Sequence, residues 1–143
     1  KVPTTIMTNS AENNGNIFGA VDYLNHKKDI INTGVTIKEY EGGISYHGKS
    51  MTIDDDIAIV GSFNMDMRSA YIDTELMLVI NSKDINKQLK ASMEEYEKKA
   101  ATVKNETEYS HIPEGMKMKE LSDKKKNIKA WFGWAMNGLR FLF

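Results

Sequence analysis

The sequence predicts an α/β protein, with a mixed or parallel sheet flanked by helices. Near the start, a strand pattern over residues 4–8, a helical pattern over 17–32 and a strand pattern over 35–40 follow one another. This β-α-β order is typical of parallel strands. A hairpin pattern and a charged amphipathic helical pattern come next. The order of these patterns favours the α/β class.

The β-α-β segment accounts for the first forty or so residues. Residues 9–16 (NSAENNGN) read as a polar loop before the helix, and Gly34 is placed to end the helix. The apolar residues that recur at helical spacing are Ile17, Val21, Leu24 and Ile31. Because a parallel sheet needs cover on both faces, this segment is too short to complete one. We expect further β-α elements upstream.

The hairpin pattern covers residues 44–60 and carries the most informative side chains. Residues 44–53 (ISYHGKSMTI) read as a strand, which would place His47 and Lys49 on one face. Asp54-Asp55-Asp56 reads as a tight turn into a second, apolar strand. That strand ends at Gly61, which permits close backbone approach, and at two hydrogen-bonding residues, Ser62 and Asn64.

An imidazole beside an ammonium suits phosphodiester chemistry. A neutral imidazole nitrogen can attack phosphorus, and the ammonium can hold the non-bridging oxygens as their charge grows. His47 and Lys49 taken alone would favour an ordinary hairpin with two surface residues. The spacing of the whole segment decides against that alternative.

The complete spacing is H-x-K-x4-D-x6-G-S-x-N, formed by His47, Lys49, Asp54, Gly61, Ser62 and Asn64. It resembles the HKD motif of the phospholipase D superfamily, and chance would produce it on the order of once in a million chains of this length. From about residue 4 to 93 the chain resembles the second half of bacterial two-motif proteins of the cardiolipin synthase type. The resemblance implies a phospholipase D-like fold with one incomplete HKD half.

The resemblance also implies residue roles. His47 would be either the nucleophile or the general acid, and the sequence leaves this open. Lys49 would be catalytic and would bind the substrate phosphate with Ser62 and Asn64. Asp54 joins the catalytic set in a structural and electrostatic role.

Glu75 is the fourth residue predicted to be catalytic. It stands in an apolar strand pattern (TELMLVI), where an acid is poorly placed unless it has a partner. The resemblance implies that Glu75 hydrogen-bonds the motif histidine and fixes its tautomer. A water-facing glutamate at a strand edge is the alternative.

The loop after the motif matches N-x-D-x-R-S of the cardiolipin synthase group, at Asn64, Asp66, Arg68 and Ser69. Gly61, Asp66 and Arg68 are therefore supporting candidates. For Asp66 and Arg68, a structural ion pair that shapes the loop is favoured over direct catalysis.

The whole chain divides into three segments by its sequence patterns. A helical pattern follows residue 81, with apolar positions Ile85, Leu89, Met93, Tyr96, Ala100 and Val103. We therefore expect a phospholipase D-like domain over residues 1–103, a polar linker over 104–126 and an amphipathic helix over 127–143.

The last segment (NIKAWFGWAMNGLRFLF) is short and charged for a membrane span but suits the interface of an anionic bilayer. The predicted membrane contacts are Trp131, Phe132, Trp134 and Phe141. Docking on the protein's own core or on a partner domain is the alternative.

Composition limits the remaining classes of function. The chain has 143 residues, of which 41% are hydrophobic and 27% charged, as in one globular domain. With no cysteine, disulfides, thiolate metal sites and a cysteine nucleophile are excluded. We expect no cofactor and no metal, because no nucleotide loop or second acidic cluster occurs. With 19 basic and 20 acidic residues, nucleic acid is not an expected partner.

The resemblance implies a phosphatidyltransferase that joins two phosphatidylglycerol molecules through a phosphohistidine, at the bacterial cytoplasmic membrane. Its partners would be phospholipid, an anionic membrane surface and a second HKD half, upstream in the same chain or in a homodimer. The alternatives are a phospholipid-hydrolysing phospholipase D, a phosphodiesterase or nuclease of the same superfamily, and a non-catalytic membrane-binding half-domain.

Overall fold

The computed structural model describes residues 2–138, apart from the side chains of 133–137. In chain order the elements are β1 (Thr5–Asn9), α1 (Ile17–Asn32), β2 (Thr36–Tyr40), β3 (Ser50–Ile53), β4 (Ile57–Gly61), α2 (Met67–Tyr71), β5 (Met77–Asn81), α3 (Lys83–Glu97), β6 (Ala100–Val103), β7 (Tyr109–His111) and α4 (Asp123–Gly138). This order confirms the α/β class. The described residues form two units, one of residues 2–46 with 96–138 and the other of residues 47–95.

The first unit contains a mixed four-stranded sheet in the order β1-β2-β6-β7. β1 and β2 are parallel, as the β-α-β prediction required, while β6 runs antiparallel to β2 and β7 antiparallel to β6. The Asn16 side chain caps α1 by accepting hydrogen bonds from two backbone N–H groups. Small and aliphatic residues form the buried core of this unit: Ala20, Val21, Ile37, Ala100 and Ala101.

A buried polar network joins α1, β2 and β7 in the first unit. Lys27 Nζ lies 2.8 Å from Glu39 Oε1, and their side chains are only 6% and 3% exposed. The Glu39 carboxylate also accepts hydrogen bonds from the hydroxyls of Tyr23 and Tyr109. Burial raises the pKa of both tyrosines, with Glu39 adding to the effect, so both remain protonated donors.

The second unit contains a three-stranded antiparallel sheet in the order β3-β4-β5. The predicted turn at residues 54–56 joins β3 to β4. Asp54 has φ 47°, in the left-handed region that aspartate occupies more readily than most residues. Buried Asn86 on α3 donates to the Ile57 carbonyl over 2.6 Å, which fixes the helix to the start of β4.

Several predicted boundaries were wrong. The helical pattern that was extended to Val103 ends at Glu97, and residues 100–103 are β6. Short apolar runs fit either period, and here pairing with β2 decides in favour of a strand. The strand predicted from residue 44 begins only at Ser50. The segment predicted as a polar linker, residues 104–126, contains β7 and the start of α4.

Candidate active site

His47 and Lys49 lie in the segment that leads into β3. Lys49 Nζ is 2.9 Å from His47 Nε2, and the same ammonium donates to the His47 carbonyl over 3.2 Å. An ammonium can donate to an imidazole nitrogen only if that nitrogen carries a lone pair. His47 is exposed and Lys49 half-buried. The two side chains are therefore adjacent, as predicted, and the imidazole is open to a ligand.

Gly61 ends β4 next to this pair. Its N–H donates to the Lys49 carbonyl over 3.1 Å. A Cβ at this position would collide with the Leu76 carbonyl oxygen and with Met77. The predicted close backbone approach is confirmed, and it involves the strand that follows Glu75.

Glu75 and Ser62 form the other side of the candidate site. The Ser62 hydroxyl donates to Glu75 Oε2 and accepts the Leu76 N–H over 3.1 Å. The hydrogen bonds from Ser62 and then Ser69, together with the nearby Lys49 ammonium, hold the pKa of Glu75 below its ordinary value. Glu75 is therefore an ionised acceptor at neutral pH.

The expected hydrogen bond between Glu75 and His47 was wrong for the arrangement described here. Within residues 2–138, the Glu75 carboxylate is hydrogen-bonded by Ser62 and Ser69. β4 lies between the chain segments that carry His47 and Glu75. Two strand spacings separate backbones by about 10 Å. Lys49 is instead the group that interacts with both residues.

The loop between β4 and β5 is held by the residues of the N-x-D-x-R-S match. The Asp66 carboxylate caps α2 by accepting the Ser69 N–H over 2.7 Å. Arg68 pairs with Asp73 over 3.0 Å. Asp66 and Arg68 thus shape the loop, as the favoured alternative stated, but each does so with a different partner rather than as a pair.

Ser69 is the residue that the sequence analysis missed. It is buried, it hydrogen-bonds Glu75, and it lies 3.4 Å from the Asn64 amide nitrogen, which donates to its hydroxyl. Its hydroxyl therefore links the two predicted site residues Asn64 and Glu75. The available signal was its place as the last residue of the N-x-D-x-R-S match.

Asp54 is not next to the other predicted catalytic residues. It begins the turn at the far end of β3, five positions along the chain from Lys49, which is about 16 Å in a strand. Lys90 donates to the Asp54 carbonyl and pairs with Asp55 over 2.7 Å. These contacts support the structural part of the predicted role of Asp54, and its electrostatic part in catalysis stays a prediction.

The predicted membrane contacts are only partly described. Trp131 and Phe132 lie on α4 with their side chains exposed. The Trp134 side chain and the whole of Phe141 lie outside the described residues. Between residues 2 and 138, no helix is both long and apolar enough to cross a bilayer, and no group of acids and histidines has a metal-binding arrangement.

Comparison with known families agrees with the motif. The family described as "Cardiolipin synthase, PLD-like domain" matches residues 1–96. The chain belongs to this family. The predicted relationship to the phospholipase D superfamily and to the cardiolipin synthase group is confirmed.

Two relatives that contain a similar region are both called cardiolipin synthase A. Cardiolipin synthase A of Wigglesworthia glossinidia brevipalpis is 35% identical over 68 residues, which are 48% of this chain and 14% of that protein. Cardiolipin synthase A of Yersinia pestis bv. Antiqua (strain Angola) is 33% identical over 78 residues, 54% of this chain and 16% of that protein. The chain thus matches only about one sixth of the length of these relatives.

A solved structure supports the fold of the domain. The crystal structure of phosphatidylserine synthase from Haemophilus influenzae Rd KW20 matches with a TM-score of 0.61. The match covers 99% of this chain and 36% of that one, at 13% identity. It confirms the predicted phospholipase D-like fold.

Proposed function

We propose that this domain is part of a phosphatidyltransferase of the cardiolipin synthase kind, which joins two phosphatidylglycerol molecules and releases glycerol. The observation that carries the proposal is the exposed His47 with Lys49 Nζ 2.9 Å from its Nε2, inside a cardiolipin synthase PLD-like domain. The names of the relatives favour lipid transfer over the other reactions of the superfamily.

The pair supplies the chemistry of one displacement at phosphorus. A histidine lone pair forms a bond to phosphorus, and the bond from phosphorus to the glycerol headgroup breaks. The departing glycerol oxygen takes a proton from a second histidine. That histidine then removes a proton from a hydroxyl of the second phosphatidylglycerol, which attacks the phosphohistidine and frees the first histidine. His47 takes one of these two roles.

Lys49 stabilises the negative charge that grows on the phosphate oxygens in both displacements. Without substrate its ammonium donates to the His47 nitrogen. When a phosphodiester arrives, the same ammonium can transfer its hydrogen bond to a non-bridging oxygen, which frees the imidazole lone pair and stabilises the growing negative charge. The charges of Glu75 and Lys49 attract each other, while hydrogen bonds from Ser62 and Ser69 hold the pKa of Glu75 below its ordinary value.

The second histidine requires a second HKD half. The second unit leaves large apolar side chains exposed on both edge strands of its sheet, namely Met51, Ile53, Leu78 and Val79. Four large apolar side chains exposed on one small sheet indicate that another part of a protein covers them. We infer that an HKD half contributes that cover, either elsewhere in the same chain or from a second copy.

Lipid mass spectrometry of the complete protein tests the proposal. Phosphatidylglycerol vesicles should yield cardiolipin and glycerol, and His47→Ala should lower the rate at least about 10³-fold, since it removes a reacting group. His111→Ala is the matched control, because His111 is exposed on β7, and it should leave the rate unchanged.

Other outcomes would select the alternatives. Phosphatidic acid as the only His47-dependent product would mean hydrolysis. His47-dependent cleavage of a nucleic acid or a simple phosphodiester, with no lipid product, would mean a phosphodiesterase or nuclease. Absence of every product would mean a membrane-binding half-domain.

A further inference from the structure

The start of α4 is fixed to the first unit by one buried lysine. Lys125 Nζ donates to the carbonyl oxygens of Ala11 and Asn14, over 2.8 and 3.0 Å, and to that of Glu12. Its side chain is only 10% exposed. The Ser122 N–H donates to the Glu12 carboxylate over 2.9 Å. We call these contacts the Lys125 clamp, which attaches α4 to the loop between β1 and α1.

Beyond the clamp, α4 contacts α1 and carries two exposed aromatic side chains. Ile128 is half-buried and lies on the same helical face as Lys125. Phe132, one turn further along that face, is 55% exposed, and neighbouring Trp131 is 83% exposed. Two consecutive large aromatic side chains in water are costly for a free surface. The clamp therefore presents them on a helix whose base is held in place.

The charges around these aromatic residues select the kind of partner. Residues 122–132 contain four lysines and one aspartate. Lys125 is used in the clamp, but Lys124, Lys126 and Lys129 are exposed. Aromatic residues next to lysines match the headgroup layer of an anionic bilayer, where rings enter the interface and ammonium groups meet lipid phosphates.

We propose that residues 124–132 form a contact surface for anionic phospholipid membranes and that the Lys125 clamp holds this surface as an extension of the first unit. The proposal goes beyond the proposed function, because binding requires neither His47 nor a second HKD half. It also refines the predicted anchor, since the helix begins within the predicted linker and Lys125 is not available to lipid.

Vesicle sedimentation of the 143-residue chain is the first test. Binding to vesicles of equal parts phosphatidylglycerol and phosphatidylcholine should exceed binding to phosphatidylcholine alone. Trp131→Ser with Phe132→Ser should lower the partition coefficient at least about tenfold. Tyr71→Ser is the matched control, since Tyr71 is an aromatic residue that is 77% exposed in the second unit. His47→Ala should bind like the unchanged chain.

Charge and fluorescence test the same surface without removing the aromatic residues. Lys124→Gln with Lys129→Gln should weaken binding to the anionic vesicles and reduce its salt dependence. The chain has two tryptophans, so Trp134→Phe leaves Trp131 as the single reporter. Its emission should shift to the blue when the anionic vesicles are added.

Three results would overturn the proposal. They are unchanged partition of the double aromatic variant, an equal loss in Tyr71→Ser, and no shift of Trp131 emission with either vesicle. A dimer that the double aromatic variant converts to monomer, with no change in lipid partition, would assign the surface to a second copy of the chain instead.

Discussion

Each unit contains a lysine and a glutamate whose charges interact, but the surroundings of these residues differ. In the first unit, Lys27 and Glu39 are buried 2.8 Å apart, and two tyrosine hydroxyls also donate to the glutamate. In the second unit, Lys49 donates to an exposed imidazole, while Glu75 interacts with the ammonium only through its charge. The same residue types can thus serve stability or chemistry.

The difference lies in whether the partners can be exchanged. The Lys27 ammonium is enclosed by Glu39 and by the rings of Tyr23 and Tyr109, with centroids 5.9 and 5.5 Å away. Because the side chains of Lys27 and Glu39 are buried, a ligand in solution does not reach them. The hydrogen bond from half-buried Lys49 to exposed His47 can pass to a substrate oxygen, because the imidazole lies at the surface.

The largest expected effect is the loss of stability when the buried pair of Lys27 and Glu39 is removed. Glu39→Ala leaves the Lys27 charge and two tyrosine hydroxyls without their acceptor, so the free energy of unfolding should fall by about 3–5 kcal/mol. Urea denaturation followed by circular dichroism measures it. Glu97→Ala is the control, since its pair with Lys38 is 25–33% exposed and should contribute about 1 kcal/mol or less. Equal losses would contradict the comparison.

The next largest effect concerns Lys49, whose hydrogen bond to His47 can pass to a substrate. Lys49→Gln should lower the phosphatidyl transfer rate of the complete protein by about 10²–10³-fold, because a charge that stabilises the transition state is lost. The melting temperature should hardly change. Lys90→Gln removes another lysine of this unit, paired with Asp55 at the far end of the hairpin, and should keep its activity. A similar loss of rate in both variants would argue against a specific role for Lys49.

A smaller effect concerns Asp54, which the geometry assigns to the fold. Asn also adopts left-handed backbone, so Asp54→Asn should retain both transfer rate and stability. Asp54→Val should lower the free energy of unfolding by about 1–2 kcal/mol, because β-branched residues are strained at positive φ. Rate measurements and urea denaturation on both variants give the answer. A large loss of transfer rate in Asp54→Asn, without a loss of stability, would indicate that the Asp54 carboxylate takes part in the chemistry.

The smallest effect is the pH dependence from Glu75. Its folded pKa lies below the ordinary value of 4.5, so the unfolded chain binds more protons between the two pKa values. This contribution to stability is present above the unfolded pKa and is lost as pH falls through the folded pKa. Ser62→Ala should reduce that acid loss, because it removes the main hydrogen bond that lowers the pKa. Urea midpoints across the acid range would show it, and an unchanged pH profile would count against it.

Local patterns predicted the parts of the fold that local chemistry determines. The β-α-β unit, the turn at residues 54–56 and the close approach at Gly61 follow from side-chain period and turn residues. The adjacency of His47 and Lys49 follows from a two-residue spacing. These features need no knowledge of distant chain segments.

The misses depend on contacts between distant segments. Ala100 and Ala101 belong to a strand because they pair with β2. The sequence predicts a helix there, because the apolar residues before them recur at helical spacing. The hydrogen-bond partners of Glu75 are Ser62 and Ser69, and their spacing from Glu75 in the sequence does not predict these contacts. Lys125 looks like one of three solvated lysines until the loop of carbonyl oxygens around it is known.

The arrangement of the units along the chain has a consequence for synthesis. Residues 47–95 separate the two segments that build the first unit, and β2 pairs with β6 at Lys38 and Thr102, more than sixty residues apart. During translation, β1, α1 and β2 leave the ribosome before the hairpin and α3, so β2 cannot pair with β6 until those segments have been made. The strands that carry the motif can pair as soon as they are made, whereas the four-stranded sheet closes only when β6 and β7 follow.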